Sequence, residues 1–180
     1  HTRFKCDWSS DVCSSDLKTT LLSALCTDLG DKARVVTVSR SRELLSNQQG
    51  RVELVASEGA PLPTLLRYAQ LIGPEVLVVD GAESSDLAAV SGIDRSSMKG
   101  LVMAINDGDR TDANAVSADL VVQMGWGRDS QLRALFLHDS RGAPVIAYED
   151  GCFKLVNARP AFADRLRSLD QVAALTSLLT

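Results

Sequence analysis

Apolar positions along this chain follow two successive rhythms. In the first, helical stripes alternate with short β-branched runs. Leu21, Leu22, Ala24, Leu25 and Leu29 fall on one helical stripe that Gly30 stops. Arg34 to Ser39 (RVVTVS) is a β-branched run that predicts a buried strand, and Arg51 to Ala56 (RVELVA) predicts a second. Leu62 to Ile72 reads as a helix, with Pro63 tolerated in its first turn and Gly73-Pro74 ending it. Val76 to Val79 is an apolar stretch closed by Asp80, which predicts a short, fully buried strand. Ser84 to Val90 predicts a short helix and Leu101 to Ile105 another strand. A polar loop, Asn106-Asp107-Gly108-Asp109, and a helix through Asp112 to Ser117 follow.

In the second rhythm strands follow one another closely, at Leu120 to Met124, Leu132 to His138, Pro144 to Tyr148 and Cys152 to Val156. Asp139-Ser140-Arg141-Gly142 and Asp150-Gly151 between them are hairpin-turn signals. The tail from Pro160 to Leu179 reads as helical. Alternating strands and helices imply a parallel sheet. The hairpins add an antiparallel extension at its C-terminal side. The expected fold class is therefore α/β, with no repeat, low-complexity segment or interdomain linker.

Composition narrows this picture. The chain has 180 residues, 45% of them apolar, enough for a packed core rather than disorder. A net charge of −4 argues against a dedicated nucleic-acid binder, so no nucleic-acid partner is expected. No apolar run reaches the length of a membrane span. Cys26 and Cys152 lack metal-ligand spacing and are expected to be small core residues in a reducing compartment.

The strongest chemical signal is Lys18-Thr19-Thr20. A lysine followed by hydroxyls at the start of an apolar-periodic helix matches the end of a phosphate-binding loop, G-x-x-x-x-G-K-[ST]. Here the glycine slots hold Val12 and Leu17, and Asp16 opposes a polyanion. The segment before Lys18 resembles the translation of a short-read sequencing adapter. Residues 1–17 are therefore expected to be foreign, and 18–180 to be an N-terminally truncated nucleotide-binding domain. An intact parent is expected to bind nucleotide, and this chain to bind it poorly. An ordinary threonine-capped helix start is the simpler explanation of the tripeptide.

Asp80, at the end of VLVVD, stands where nucleotide enzymes hold the water shell of Mg²⁺; aspartate also begins turns well. Gly81 follows it and offers no general base, leaving Glu83 and Glu43 as the nearest carboxylates for orienting water, or as solvated surface charges. Asn106 and Asp109 occupy positions from which guanine is read in some switches, although an Asx-rich turn explains them at lower cost. His138 is expected at the end of its strand beside the Asp139-Ser140 turn, rather than in a catalytic role, and Trp126 in a flexible loop.

Taken in order, these pieces resemble the motor domain of the type II/type IV secretion and pilus-assembly ATPases, the Flp/Tad pilus motor branch above all. The resemblance covers most of residues 18–157. It rests on K-T-T-L-L-S-A-L (Lys18 to Leu25), R-V-V-T-V-S-R-S-R-E-L (Arg34 to Leu44), L-L-R-Y-A-Q-L-I-G-P-E-V-L-V-V-D (Leu65 to Asp80) and S-A-D-L-V-V-Q (Ser117 to Gln123). It implies a P-loop NTPase, RecA-like fold using ATP and Mg²⁺. Lys18, Thr19 and Thr20 would contact the nucleotide, and Thr19 and Asp80 would attend the metal. It further implies a homo-oligomeric, hexameric ring, cytoplasmic and peripheral to the inner membrane, working on a membrane platform protein.

The chain departs from that family at its acidic box. Carboxylates are expected near Ser39 and Arg40, and only Glu43 follows. The family's catalytic glutamate and histidine box are also missing. The alternatives are thus a non-hydrolysing scaffold or regulatory paralogue of the same fold, and a small GTPase-like switch.

Overall fold

The computed structural model describes residues 12–29, 33–44, 51–106, 120–126, 132–139, 144–149 and 152–156. They fall in two compact units, His1–Asp112 and Ala113–Thr180. The expected helices at 112–117 and 160–179 lie outside the described residues.

The first unit runs α1 (Val12–Leu29), β1 (Val35–Ser39), β2 (Val52–Val55), α2 (Leu62–Ile72), β3 (Val76–Ala82), α3 (Leu87–Ser91) and β4 (Gly100–Ile105). A 3-10 turn over Ser84–Asp86 leads into α3. The strands form one parallel sheet in the order β2-β1-β3-β4. The alternating first rhythm thus becomes a helix-flanked parallel α/β sheet, as expected.

Parallel strands covered on both faces need continuous apolar runs, and VVTVS in β1 is buried throughout. Alternation divides the runs between the two faces. Val35, Val76, Val78, Val102 and Ala104 pack with Leu22 and Cys26 of α1. Val36, Val38, Leu77 and Val79, all buried, turn to the other face. The buried stripe of α2, Leu62, Leu65, Leu66 and Ala69, packs on β1 and β2. Gly73 ends α2 in the left-handed conformation at φ 68°, where glycine carries no Cβ penalty.

Glu75 ties together the N-terminal ends of three strands. Its carboxylate accepts the Arg34 backbone N–H at 2.8 Å and pairs with Lys99 at 2.8 Å, while its carbonyl accepts the Lys99 N–H at 2.7 Å.

Three expectations change in this unit. The first helix begins at Val12 rather than at Lys18, so Lys18 lies inside it. Its sheet-facing stripe is Thr19, Leu22 and Cys26, while Leu25 is 44% exposed. The spacing i, i+3, i+7 is equally helical, and the sheet selected the stripe that carries the hydroxyl. Finally, β3 runs past Asp80 through Gly81 to Ala82, with a register shift against β4 between Val79 and Ala82.

The second unit is an antiparallel meander of β5 (Leu120–Trp126), β6 (Leu132–Asp139), β7 (Pro144–Glu149) and β8 (Cys152–Leu155). The expected antiparallel hairpins form, but as a sheet of their own rather than as an extension of the parallel one. Trp126 is the last residue of β5, paired with Leu132, rather than a loop residue. His138 is a β6 residue paired with Val121, within the strand expected over Leu132 to His138. Cross-strand pairing overrode the local loop signal at Trp126. Cys26 is buried as expected, whereas Cys152 is exposed.

Candidate functional site at the strand ends

The C-terminal ends of parallel strands are where open α/β sheets place ligands. Here the ends of β1 and β3 bring Ser39 and Asp80 side by side as register partners. Thr19 reaches them from α1, and its hydroxyl donates to Asp80 Oδ2 at 2.9 Å across 61 positions of sequence. Both side chains are buried. Lys18, one residue earlier, acts on Asp80 with its positive charge.

Burial holds the Asp80 carboxyl above its usual range. The Thr19 hydrogen bond opposes this, the nearby Glu43 charge adds to it, and the Gly81 N–H and Lys18 oppose it. A desolvated carboxylate beside a hydroxyl is a hard-oxygen pair that a small divalent cation would stabilise. Among the described residues, no cluster of three His, Cys, Asp or Glu forms a protein cage for a metal. A single carboxylate with hydroxyls instead suits a hydrated Mg²⁺, which keeps most of its waters. The residues present therefore fit the metal: Thr19 and Asp80 would hold it.

They do not fit the phosphates. From Val12 onward the backbone is α-helical, so the N–H groups from Asp16 onward serve the helix rather than a phosphate cradle. Lys18 stands on the second turn and Thr20 on the third, away from the exposed N–H groups of the helix start.

A second cluster lies beside the first. Arg40, just after β1, donates through Nε to the Gly81 carbonyl at 2.8 Å. Its Nη2 reaches Asp86 Oδ2 at 2.7 Å and lies 3.5 Å from Glu83 Oε2. Asp86 also accepts the Glu83 backbone N–H at 3.0 Å, in a reciprocal capping box at the 3-10 turn. Gly81 has φ +73°, which lets β3 bulge and turn its carbonyl to Arg40.

The structure thus brings Lys18, Thr19 and Asp80 together on one face. It puts Glu43 on the exposed loop after β1, close enough for its charge to act on Asp80. It engages Glu83 with Arg40. Asn106 follows β4, its N–H donating to the Ala82 carbonyl at 2.7 Å, while Asp107 and Asp109 lie outside the described residues. Sequence reasoning missed Arg40 and Asp86; the E-S-S-D spacing of a capping box was the available signal for Asp86.

The fold is a helix-flanked parallel α/β sheet, consistent with the fold of P-loop-like ATPases. A similar solved structure is the VirB11 ATPase from the Brucella suis type IV secretion system, solved in complex with sulphate. It has a TM-score of 0.53 and 16% identity over 71% of this chain. The match spans 46% of that protein, so the chain corresponds to about half its length. No family model and no curated protein sequence matches the chain. Among the described residues no helix is long and apolar enough to cross a membrane.

Proposed function

We propose that this chain is the ATP-binding part of a secretion or pilus-assembly motor, with a degenerate hydrolytic apparatus. The carrying observation is the buried 2.9 Å hydrogen bond between Thr19 and Asp80. A hydroxyl on the helix after a phosphate-loop lysine, meeting an aspartate at a strand end, is the Mg²⁺ half of an ATPase site. The likeness of the fold to the VirB11 ATPase supports this reading.

With the loop restored, Thr19 and Asp80 would hold Mg²⁺ and Lys18 would contact the phosphates. Mg²⁺ would supply charge neutralisation at those phosphates. Glu43 is the better placed of the two carboxylates proposed for orienting water, because Glu83 is held by Arg40. Residues 1–17 are foreign to the domain on this reading. The working form is a homo-oligomeric ring at the cytoplasmic face of the inner membrane, acting on a platform protein.

A non-hydrolysing scaffold is the second reading. The helical backbone through Val12–Leu17 favours it, because it leaves the phosphates no cradle.

Restoring the loop with Val12→Gly and Leu17→Gly tests both. Gain of ATP binding that Asp80→Asn then weakens supports the motor, and phosphate release decides whether it turns over. ATP binding without turnover supports the scaffold. A preference for GTP would instead indicate a switch, and no nucleotide binding at all would remove the ATP-site reading.

A further inference from the structure

Ser39 ends β1 directly beside Asp80, as its parallel register partner. Alternation along β1 and β3 sets Val35, Ser39, Val76, Val78 and Asp80 on the same face, and Val35, Val76 and Val78 pack there with Leu22 and Cys26 of α1. Ser39 is 0% exposed, yet its hydroxyl meets no hydrogen-bond partner. Thr37, two residues earlier, has its hydroxyl directed to the Val52 carbonyl at 3.5 Å. A buried hydroxyl without a partner is a cost that alanine would avoid, so packing alone does not account for it.

We propose that Ser39 Oγ is the third protein oxygen of the cation site formed with Thr19 Oγ1 and Asp80, where it holds one of the cation's shell waters. This rests on the reading of Thr19 and Asp80 as a metal site. It extends that site to a neutral residue at a position where an acidic group would have been easier to notice. The ligand class is a small, hard, hydrated divalent cation, Mg²⁺ or Mn²⁺. A neutral third oxygen suits a strand end where the Asp80 carboxylate is already desolvated, because a second buried charge would repel the first.

Mn²⁺ titrated alone into the whole chain, followed by water-proton relaxation, tests the assignment. Ser39→Ala is expected to weaken Mn²⁺ binding roughly tenfold, the low end for loss of a partner that orients a metal's shell. Its metal-free urea midpoint should be unchanged or higher, since the orphan hydroxyl is gone. A purely structural serine would lower the midpoint on replacement and leave Mn²⁺ affinity alone. Ser39→Cys keeps the volume with a soft, weakly bonding sulfur, and should weaken Mn²⁺ as well, should the alanine variant fail to fold. If both variants bind Mn²⁺ like the parent while Asp80→Asn does not, the Ser39 assignment is overturned and the metal site stands. If Asp80→Asn binds Mn²⁺ like the parent, or the parent binds none, the metal site falls and Ser39 with it.

Discussion

Thr19 and Asp80, on different elements and 61 positions apart, meet through a 2.9 Å hydrogen bond inside the sheet–helix interface. Thr19 shares its helical stripe with Leu22 and Cys26, so core packing and the polar contact are set by the same rotation of α1. The core holds the helix in register, and the register delivers the hydroxyl to the carboxylate.

Removing that hydroxyl leaves Asp80 buried with one partner fewer. Thr19→Val, nearly the same shape, is expected to cost about 1–3 kcal/mol in urea denaturation. Thr19→Ser keeps the donor and should cost clearly less. Equal losses for the two variants would show that shape, not the hydrogen bond, matters at this position.

The raised carboxyl of Asp80 has a defined pH consequence. Between its unfolded value, about 4, and its higher folded value, the native state binds more protons than the unfolded chain. Stability from this group therefore falls as pH rises through that window, and the penalty persists above it. Asp80→Asn cannot ionise and still offers Thr19 an acceptor. It should melt at a higher temperature than the parent at pH 7 and show a flatter dependence on pH from about 4 upward. Thermal melts across that range check it; a lower melting temperature at pH 7 would contradict the burial argument.

Arg40 joins the Gly81 carbonyl to the buried carboxylate of Asp86. Arg40→Ala is expected to cost about 1–3 kcal/mol, a charge-assisted pair discounted for the partial exposure of the arginine. Arg40→Lys should rescue little, because a single ammonium cannot reproduce the guanidinium fork. Chemical denaturation of the two variants decides this, and full recovery by lysine would show that only charge is needed.

Gly81 has a positive φ within a strand. A Cβ there would meet Arg40 Cβ at 3.5 Å and Asn106 Nδ2 at 3.6 Å, ordinary contacts, so conformation rather than collision opposes a side chain. Gly81→Ala is expected to lose about 1–2 kcal/mol, and Gly81→Asn less, since asparagine tolerates the left-handed region. Equilibrium unfolding of the pair measures it; a larger loss for asparagine would show that crowding governs the site.

Much of this architecture was legible before folding. VVTVS and VLVV carry no charged residue and do not alternate with exposed positions, as strands buried on both sides require. Gly73-Pro74 marked the end of α2, and the closely spaced later strands announced the antiparallel meander. Lys18, Thr19 and Asp80 were legible as types of residue in a known order, because phosphate and metal chemistry restricts those types.

Which of two helical stripes of α1 would face the sheet was not legible, because both have the right period; contact with Val35, Val76 and Val78 decided it. The same holds for the start of that helix, where local helix formation through Val12–Leu17 overrode the loop expected before Lys18. Trp126 lay between two glycines, yet pairing with Leu132 made it a strand residue.

Arg40, Asp86 and Ser39 had no local signature of a shared role, since their relationship exists only where parallel strands end together. Local sequence chemistry determined the elements and the kinds of group available. The sheet register and the packing of α1 against the sheet decided which of those groups met, because they set residues tens of positions apart within hydrogen-bonding distance.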